Sequence, residues 1–301
     1  MQTIESNQIP MKTAPVSTPP VSSSSGSSPA DGAALKVISL VVKILLAILF
    51  LSPFYILLVN SLKTRKEIFT NTLALPAIPQ WNNYSRALDA MNFFSALRNS
   101  LVITLCSVAI IIVFTSMAAW MITRTKTKVS QALYLVFVAS MIIPFQAIML
   151  PLMREMGQLN LLNIPGLIFV YLGFGASMGV FIFSGFVKSI PKELDEAAMM
   201  DGCNTLQTFW YIIFPLLKPA TFTIAVLDVV WIWNDYLLPS LTINNPGTMT
   251  IPLQTFFFFG QFTKQWDMAL AALVMCIIPV IVFYLFAQKY IIKAVTAGSI
   301  K

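Results

Sequence analysis

Four stretches of the chain carry no charged residue: Arg98 to Arg124, Lys128 to Arg154, Glu155 to Lys188, and Asp267 to Lys289. A helix needs about 20 apolar residues to cross a hydrocarbon core, and each stretch is long enough. One such run fits a buried helix of a soluble protein; four together predict a membrane protein. With two further apolar segments the pattern predicts six spans, at roughly 37–62, 99–123, 129–153, 164–187, 219–241 and 268–288. The expected fold class is therefore an all-α membrane protein with six transmembrane helices. Pro53, Pro144 and Pro279 fall inside spans, where neighbouring helices can re-satisfy the freed backbone groups. Gly173, Gly175 and Gly179 predict close helix approach in the fourth span, the last two at the small-xxx-small spacing.

Composition agrees with the pattern. Of 301 residues, 57% are hydrophobic and only 10% charged, against about 25% charged in an average soluble domain. The net charge of +7 is dispersed between apolar spans, which suits loop anchors rather than a nucleic-acid stripe. The chain has no histidine, and its three cysteines lack metal-ligand spacing, so neither a metal site nor a catalytic constellation is expected. Residues 1–35 are rich in Ser, Thr and Pro and are expected to form a disordered cytoplasmic tail, not a secretory signal. Residues 36–301 are expected to form the membrane domain. If both termini are cytoplasmic, the outer loops carry Lys63, Arg65, Lys66, Arg86, Arg98, Arg154 and Lys264, and the inner segments carry the remaining twelve cations. The bias places the termini inside, with Arg124-Thr-Lys-Thr-Lys128 as its strongest local signal.

Between spans four and five lies a polar segment, 189–219, whose local chemistry predicts two short helices. Pro191 suits a first helical position, and Glu193, Asp195 and Glu196 follow where the helix dipole favours negative charge. Gly202 is a natural stop, and Asn204 with Gln207 forms a capping box for the second helix, which Pro215 ends. Ala197, Ala198 and Gly202 leave little side-chain bulk, while Leu206, Phe209 and Trp210 supply apolar anchors. Such a hairpin, hung between two membrane helices, suits transmission of a partner's motion. An interfacial amphipathic linker is the plainer alternative. A DNA-reading helix-turn-helix fails on charge, because Glu193, Asp195, Glu196 and Asp201 outnumber Lys192 and would repel phosphates.

The spacing Glu196-Ala-Ala-x3-Gly202-x9-Ile212-x-Phe214-Pro215 resembles the EAA loop of binding-protein-dependent ABC importer permeases, with Phe214 where leucine is usual. The resemblance extends to the carbohydrate branch, the second permease of the maltose type, through Leu75 to Tyr84, Trp233-Asn-Asp-Tyr236, Gly260 to Trp266 and Thr296 to Lys301. It implies a type I ABC importer transmembrane domain in a bacterial-type cytoplasmic (inner) membrane. The implied partners are a homologous second permease, two ATPase subunits, an extracytoplasmic substrate-binding protein and membrane lipid. Glu196, Ala197, Ala198, Asp201, Gly202, Leu206, Phe209, Ile212 and Pro215 would form the ATPase-coupling loop. No cofactor is expected on this chain, since no Gly-Lys-Ser/Thr phosphate loop occurs; ATP and Mg would sit on the partner ATPases. The chain is thus expected to be a transport subunit and not an enzyme.

Asp228 is unexpected inside a span, where an ionisable group is costly. On a helical projection Asp228, Trp231 and Asp235 share one face, and carboxylates beside an aromatic plate suit a polyhydroxylated substrate. The competing reading makes each of them structural. A different class of transporter, driven by an ion gradient with Asp228 as the coupling carboxylate, remains the functional alternative, although no internal repeat supports it.

Overall fold

The computed structural model describes residues 29–299 apart from 244, 246, 257 and 259–264. Residues 1–28, most of the Phe256–Trp266 stretch, and 300–301 therefore lie outside the described residues, and with them the expected tail and part of the C-terminal resemblance.

The described residues up to Pro53 belong to a first unit and comprise most of α1, Pro29–Ser61. The helix begins ahead of the predicted boundary at residue 35. Ala30, Ala33 and Ala34, strong helix formers, follow a proline suited to a helix start.

The second unit, from Phe54 onward, holds the core. It begins with the end of α1 and then α2 (Arg65–Thr70), started by a reciprocal capping box between Thr64 and Glu67. Next comes α3 (Asn82–Ala90), fastened back by Asn83, whose amide donates to the carbonyls of Ser61 and Lys63. Lys63, one of the predicted outer-loop cations, is buried, and its ammonium donates to Asn60 Oδ1, Asn71 O and Thr72 O at 2.7–3.1 Å. Burial lowers its pKa from the usual lysine range, partly opposed by nearby Glu67.

The centre of this unit is the pair α4 (Phe93–Thr125) and α7 (Ile164–Ser189). Between them run α5 (Lys128–Ser140) and α6 (Phe145–Gln158). Every fourth residue of α4 is buried along Ile103, Ser107, Ile111, Thr115 and Ala119, and every fourth of α7 along Tyr171, Gly175, Gly179, Phe183 and Val187. Rows at this spacing form the ridges by which helices interlock. The glycines make the approach possible. A Cβ on Gly175 would lie 2.6 Å from Ile111 Cδ1, and one on Gly179 would lie 2.5 Å from Thr115 Oγ1. Gly173 has open space instead, so the expectation of close approach holds for two of the three glycines.

The chain continues through α8 (Glu193–Met200), α9 (Thr205–Gln207), a π-helical turn (Thr208–Ile213), α10 (Phe214–Leu216) and α11 (Lys218–Asn234). It ends with α12 (Leu237–Thr242), α13 (Ile251–Phe256) and α14 (Trp266–Ser299). The N-terminal half of α4 fastens the segment before α13. Asn99 donates to the carbonyls of Gly247 and Met249, and the Ile251 amide donates to Ser100 Oγ.

Among the described residues, four helical segments are long and apolar enough to span a membrane: Lys36–Ser61, Phe93–Thr125, Ile164–Ser189 and Trp266–Phe286. Neither the predicted third span nor the predicted fifth is one continuous helix. The α5–α6 pair bends by 105° at Pro144, where the preceding residue is driven away from helical geometry. Ahead of the predicted fifth span, Thr205–Leu216 and Lys218–Asn234 meet at 76°. The fifth helix also stops earlier than the expected residue 241. Asp235 leaves the helix with ψ 127, and its Oδ1 accepts from the Leu237 amide, a local bond that competes with helix continuation.

Candidate functional site

The segment after α7 leaves the core, forms α8 and returns. Lys192 is the N-cap of α8, so Pro191 lies two residues ahead of the first helical residue rather than in its first turn. Glu193, Asp195 and Glu196 occupy that turn. At the far end Gly202 adopts φ +88, with its amide bound to Met199 O and the Cys203 amide bound to Ala198 O, both at 3.0 Å. These two bonds close a Schellman motif, the reason for a glycine here. The capping box of Asn204 and Gln207 then starts the second helix, with both reciprocal bonds present at 2.8 and 2.9 Å.

Pro215 does not end this second helix, contrary to the sequence expectation. It sits inside α10, and the break falls two residues later at Leu217. A proline ring presses on the carbonyl four residues before it, here that of Tyr211. The chain avoids the clash by widening to a π-helix, in which the Phe214 amide bonds to Phe209 O five residues back.

The two halves of the hairpin differ in burial. Phe209, Ile213 and Leu217 are fully buried in the core, and Phe209 packs on Trp120, Trp210 and Phe214 with ring centroids 5.1–5.7 Å apart. Phe209 therefore anchors the hairpin to its own chain, not to a partner; Ile212 is half-buried at the edge of the same core. Glu196, Ala197, Asp201, Gly202 and Leu206 are exposed, Ala198 is buried, and Met200 is, among the described residues, the most open of the large apolar ones at 88%. The outward surface is thus acidic and apolar, formed by α8 and the start of α9.

A tie between α8 and the end of α4 carries no EAA-pattern residue and was not singled out in the sequence. Asp195 is 7% exposed. Its Oδ1 accepts from Trp120 Nε1 at 2.7 Å, and its Oδ2 pairs with Arg124 Nη2 at 2.8 Å. Arg124 Nη2 also donates to Ile190 O at 3.0 Å, pinning the strand of chain that enters α8. Trp120 and Arg124 lie four apart and so share one helix face, the only sequence signal that pointed to a joint role. A buried ion pair further bonded by an indole and a carbonyl is a firm attachment, because losing either charge leaves the other desolvated.

The three residues of the proposed substrate face separate in the structure. Trp231 is half-exposed, meets Tyr171 edge-on at 5.5 Å, and lines a cavity of about 650 Å³ with Ser140, Gly173 and Ser177. Asp235 is held by Tyr171, whose hydroxyl donates to its Oδ2 at 2.9 Å. Asp228 is buried, is not on the wall of that cavity, and its Oδ2 has no partner among the described residues. The shared face ends with the helix at Asn234, so it never reaches Asp235.

Residues 111–297 match the family described as the binding-protein-dependent transport system inner membrane component. The chain is 50% identical over 258 residues (86% of this chain, 94% of the relative) to the probable starch degradation products transport system permease protein AmyC of Thermoanaerobacterium thermosulfurigenes. It is 34% identical over 270 residues (89% and 97%) to the melibiose/raffinose/stachyose import permease protein MelC of Bacillus subtilis. Its fold matches a chain in the crystal structure of a bacterial ABC transporter involved in the import of the acidic polysaccharide alginate, with TM-score 0.76, 23% identity and coverage of 89% and 99%. These similarities do not favour the ion-gradient transporter alternative. With this family match over its central and C-terminal helices, the chain belongs to the binding-protein-dependent transport system inner membrane components, as a multi-pass permease subunit of an ABC transporter.

Proposed function

We propose that this permease subunit carries a sugar or oligosaccharide handed over by an extracytoplasmic binding protein, driven by ATP hydrolysis on separate subunits. The printed substrates of its relatives, starch degradation products and melibiose, raffinose and stachyose, support a carbohydrate cargo. In this reading the termini are cytoplasmic, and the chain pairs with a second permease above two ATPases, which hold the ATP and Mg. Glu196, Ala197, Asp201, Gly202 and Leu206 meet an ATPase cleft. Ala198, Phe209, Ile212 and Pro215 shape the element from within.

The observation that carries the proposal is the Asp195 tie. A docking helix moves a membrane helix only if its displacement cannot be absorbed by a slack linker. Trp120 and Arg124 join α8 directly to the end of α4. Closure of the ATPases would then swing α4 and its partner α7 together, and the cavity beside Trp231 on the α7 side is where the moving wall meets cargo. There the indole offers an apolar plate, and Ser140 and Ser177, bonded to each other at 2.5 Å, offer hydroxyls for exchange with sugar hydroxyls.

The test is ATP-dependent uptake together with ATPase co-purification in Gly202→Ala, Gly202→Asn and Glu196→Ala variants. Asparagine tolerates the left-handed conformation better than alanine. If only backbone strain matters, Gly202→Asn retains function. If the ATPase needs the bare glycine surface, both substitutions lose co-purification. Unchanged uptake and co-purification in all three variants would remove the docking role.

A further inference from the structure

A cavity of about 970 Å³ lies beside the coupling hairpin, between the C-terminal end of α4, the start of α5, the last turns of α7 and the residues leading into α8. Its wall carries Arg124, Lys126, Lys188 and Lys192 against one carboxylate, Glu193. Arg124 is matched by Asp195. That leaves three lysines facing one glutamate, a local excess of positive charge. The Lys188 ammonium lies 5.4 Å from the centroid of the Tyr134 ring, a contact that holds a cation without neutralising it. Behind the wall, two enclosed groups of lining residues lack partners among the described residues: Ser184 Oγ, in a residue 1% exposed, and Arg124 Nε.

We propose that this cavity binds a phosphate-type oxyanion, with the headgroup of an anionic phospholipid as its source. A phosphate supplies several acceptor oxygens to match Lys126, Lys188 and Lys192. The lipid origin follows from the position. Ile122, in the last turn of α4, and Leu135, in the middle of α5, form part of the same wall, so an acyl chain can lie along the apolar side while the headgroup meets the lysines. Occupancy would brace Arg124, and through it the Asp195 tie, so that the surrounding lipid tunes how stiffly α8 is joined to α4. The site stands on this chain's own residues and does not depend on the sugar or ATPase reading.

The test is native mass spectrometry of the full chain, purified with its partners, after exchange into phosphatidylglycerol or phosphatidylcholine, in parallel with unfolding midpoints in inorganic phosphate. The unaltered chain should retain phosphatidylglycerol in preference to phosphatidylcholine. The double variant Lys126→Gln/Lys188→Gln should weaken retention about thirtyfold, at roughly fivefold for each lysine near an anionic surface. Lys218→Gln, a lysine off the cavity wall, should leave retention unchanged. A phosphate-dependent rise in the unfolding midpoint, lost in the double variant, would assign the same site to soluble phosphate. The proposal is overturned if the unaltered chain shows neither lipid preference nor a phosphate effect, a result that needs no variant to fold. It is equally overturned if Lys218→Gln matches the double variant, since binding would then follow surface charge alone. Loss of ATPase co-purification with lipid preference intact would count against the docking reading and leave this site standing.

Discussion

Removing the charge of Asp195 while keeping its shape separates the ion pair from the packing around it. Asp195→Asn leaves the Trp120 bond possible but strands Arg124, at a cost of about 3–5 kcal/mol typical of a broken buried pair. The expected result is continued ATP hydrolysis with markedly reduced uptake per ATP, because the hairpin would still dock but no longer move α4. A proportional fall in both activities would point to lost assembly instead. Lys63 offers a test remote from the hairpin. Its pKa is lowered on folding, so the unfolded chain binds the extra proton. Stability should therefore rise as pH climbs from the folded-state value toward the ordinary lysine value, and this group should add no slope below the folded-state value, where both states carry the proton. Lys63→Met should abolish that slope, read as the pH dependence of the unfolding midpoint. These roles were unequally visible in the sequence. The glycine stop and the Asn204–Gln207 box are local, so adjacent residues spelled them out. Asp195, Trp120 and Arg124 are brought together only by tertiary packing, and no spacing between residues 120 and 195 announces such a contact.

At the scale of helices, the α4–α7 seam makes a differential prediction. A methyl at Gly179 would strike Thr115, whose Oγ1 is already held by Ile111 O at 2.6 Å and cannot rotate away freely. Gly179→Ala should thus cost about 1–3 kcal/mol of overpacking. At Gly175 the obstacle is the flexible tip of Ile111, and the gain in helix propensity of up to about 1 kcal/mol offsets the crowding. Unfolding midpoints in detergent should fall clearly for the first substitution and little or not at all for the second; equal shifts would sink this account of the seam. Hydropathy located the helices of this seam because their apolar runs are long and unbroken. It read α5–α6 and α11–α12 as straight spans because a prolonged apolar run looks alike whether the backbone continues or turns. The bend at Pro144 decides one case, and the helix break at the Asp235 side chain decides the other.

For the whole molecule, the orientation across the membrane sets which surface each partner meets. In a background with Cys106, Cys203 and Cys276 replaced, a cysteine at the open Met200 position should react with a membrane-impermeant maleimide in inverted vesicles and not in right-side-out cells. ATPase subunits added to inverted vesicles should protect it. Labelling from the outside would reverse the proposed topology. Five of the seven outer cations, Lys63, Arg65, Lys66, Arg86 and Arg98, fall in the first outer loop and weaken the positive-inside bias there. The fold explains part of this: Lys63 is enclosed, and Arg86 is paired with Asp267 at 3.3 Å, so neither is a free cation next to lipid.

α4 is a single run of 33 helical residues, about 50 Å at the usual rise and longer than the hydrocarbon it crosses. Trp120 and Arg124 grip the hairpin near one extremity, and Asn99 and Ser100 grip the segment before α13 near the other. Such a rod, pivoting between its ends, would work as a seesaw: a small sideways displacement imposed at one end would appear at the other in the opposite direction. An importer must never open both gates together, and a beam fastened at both extremities would enforce that exclusion by geometry alone, without any signal relayed through the side chains between them.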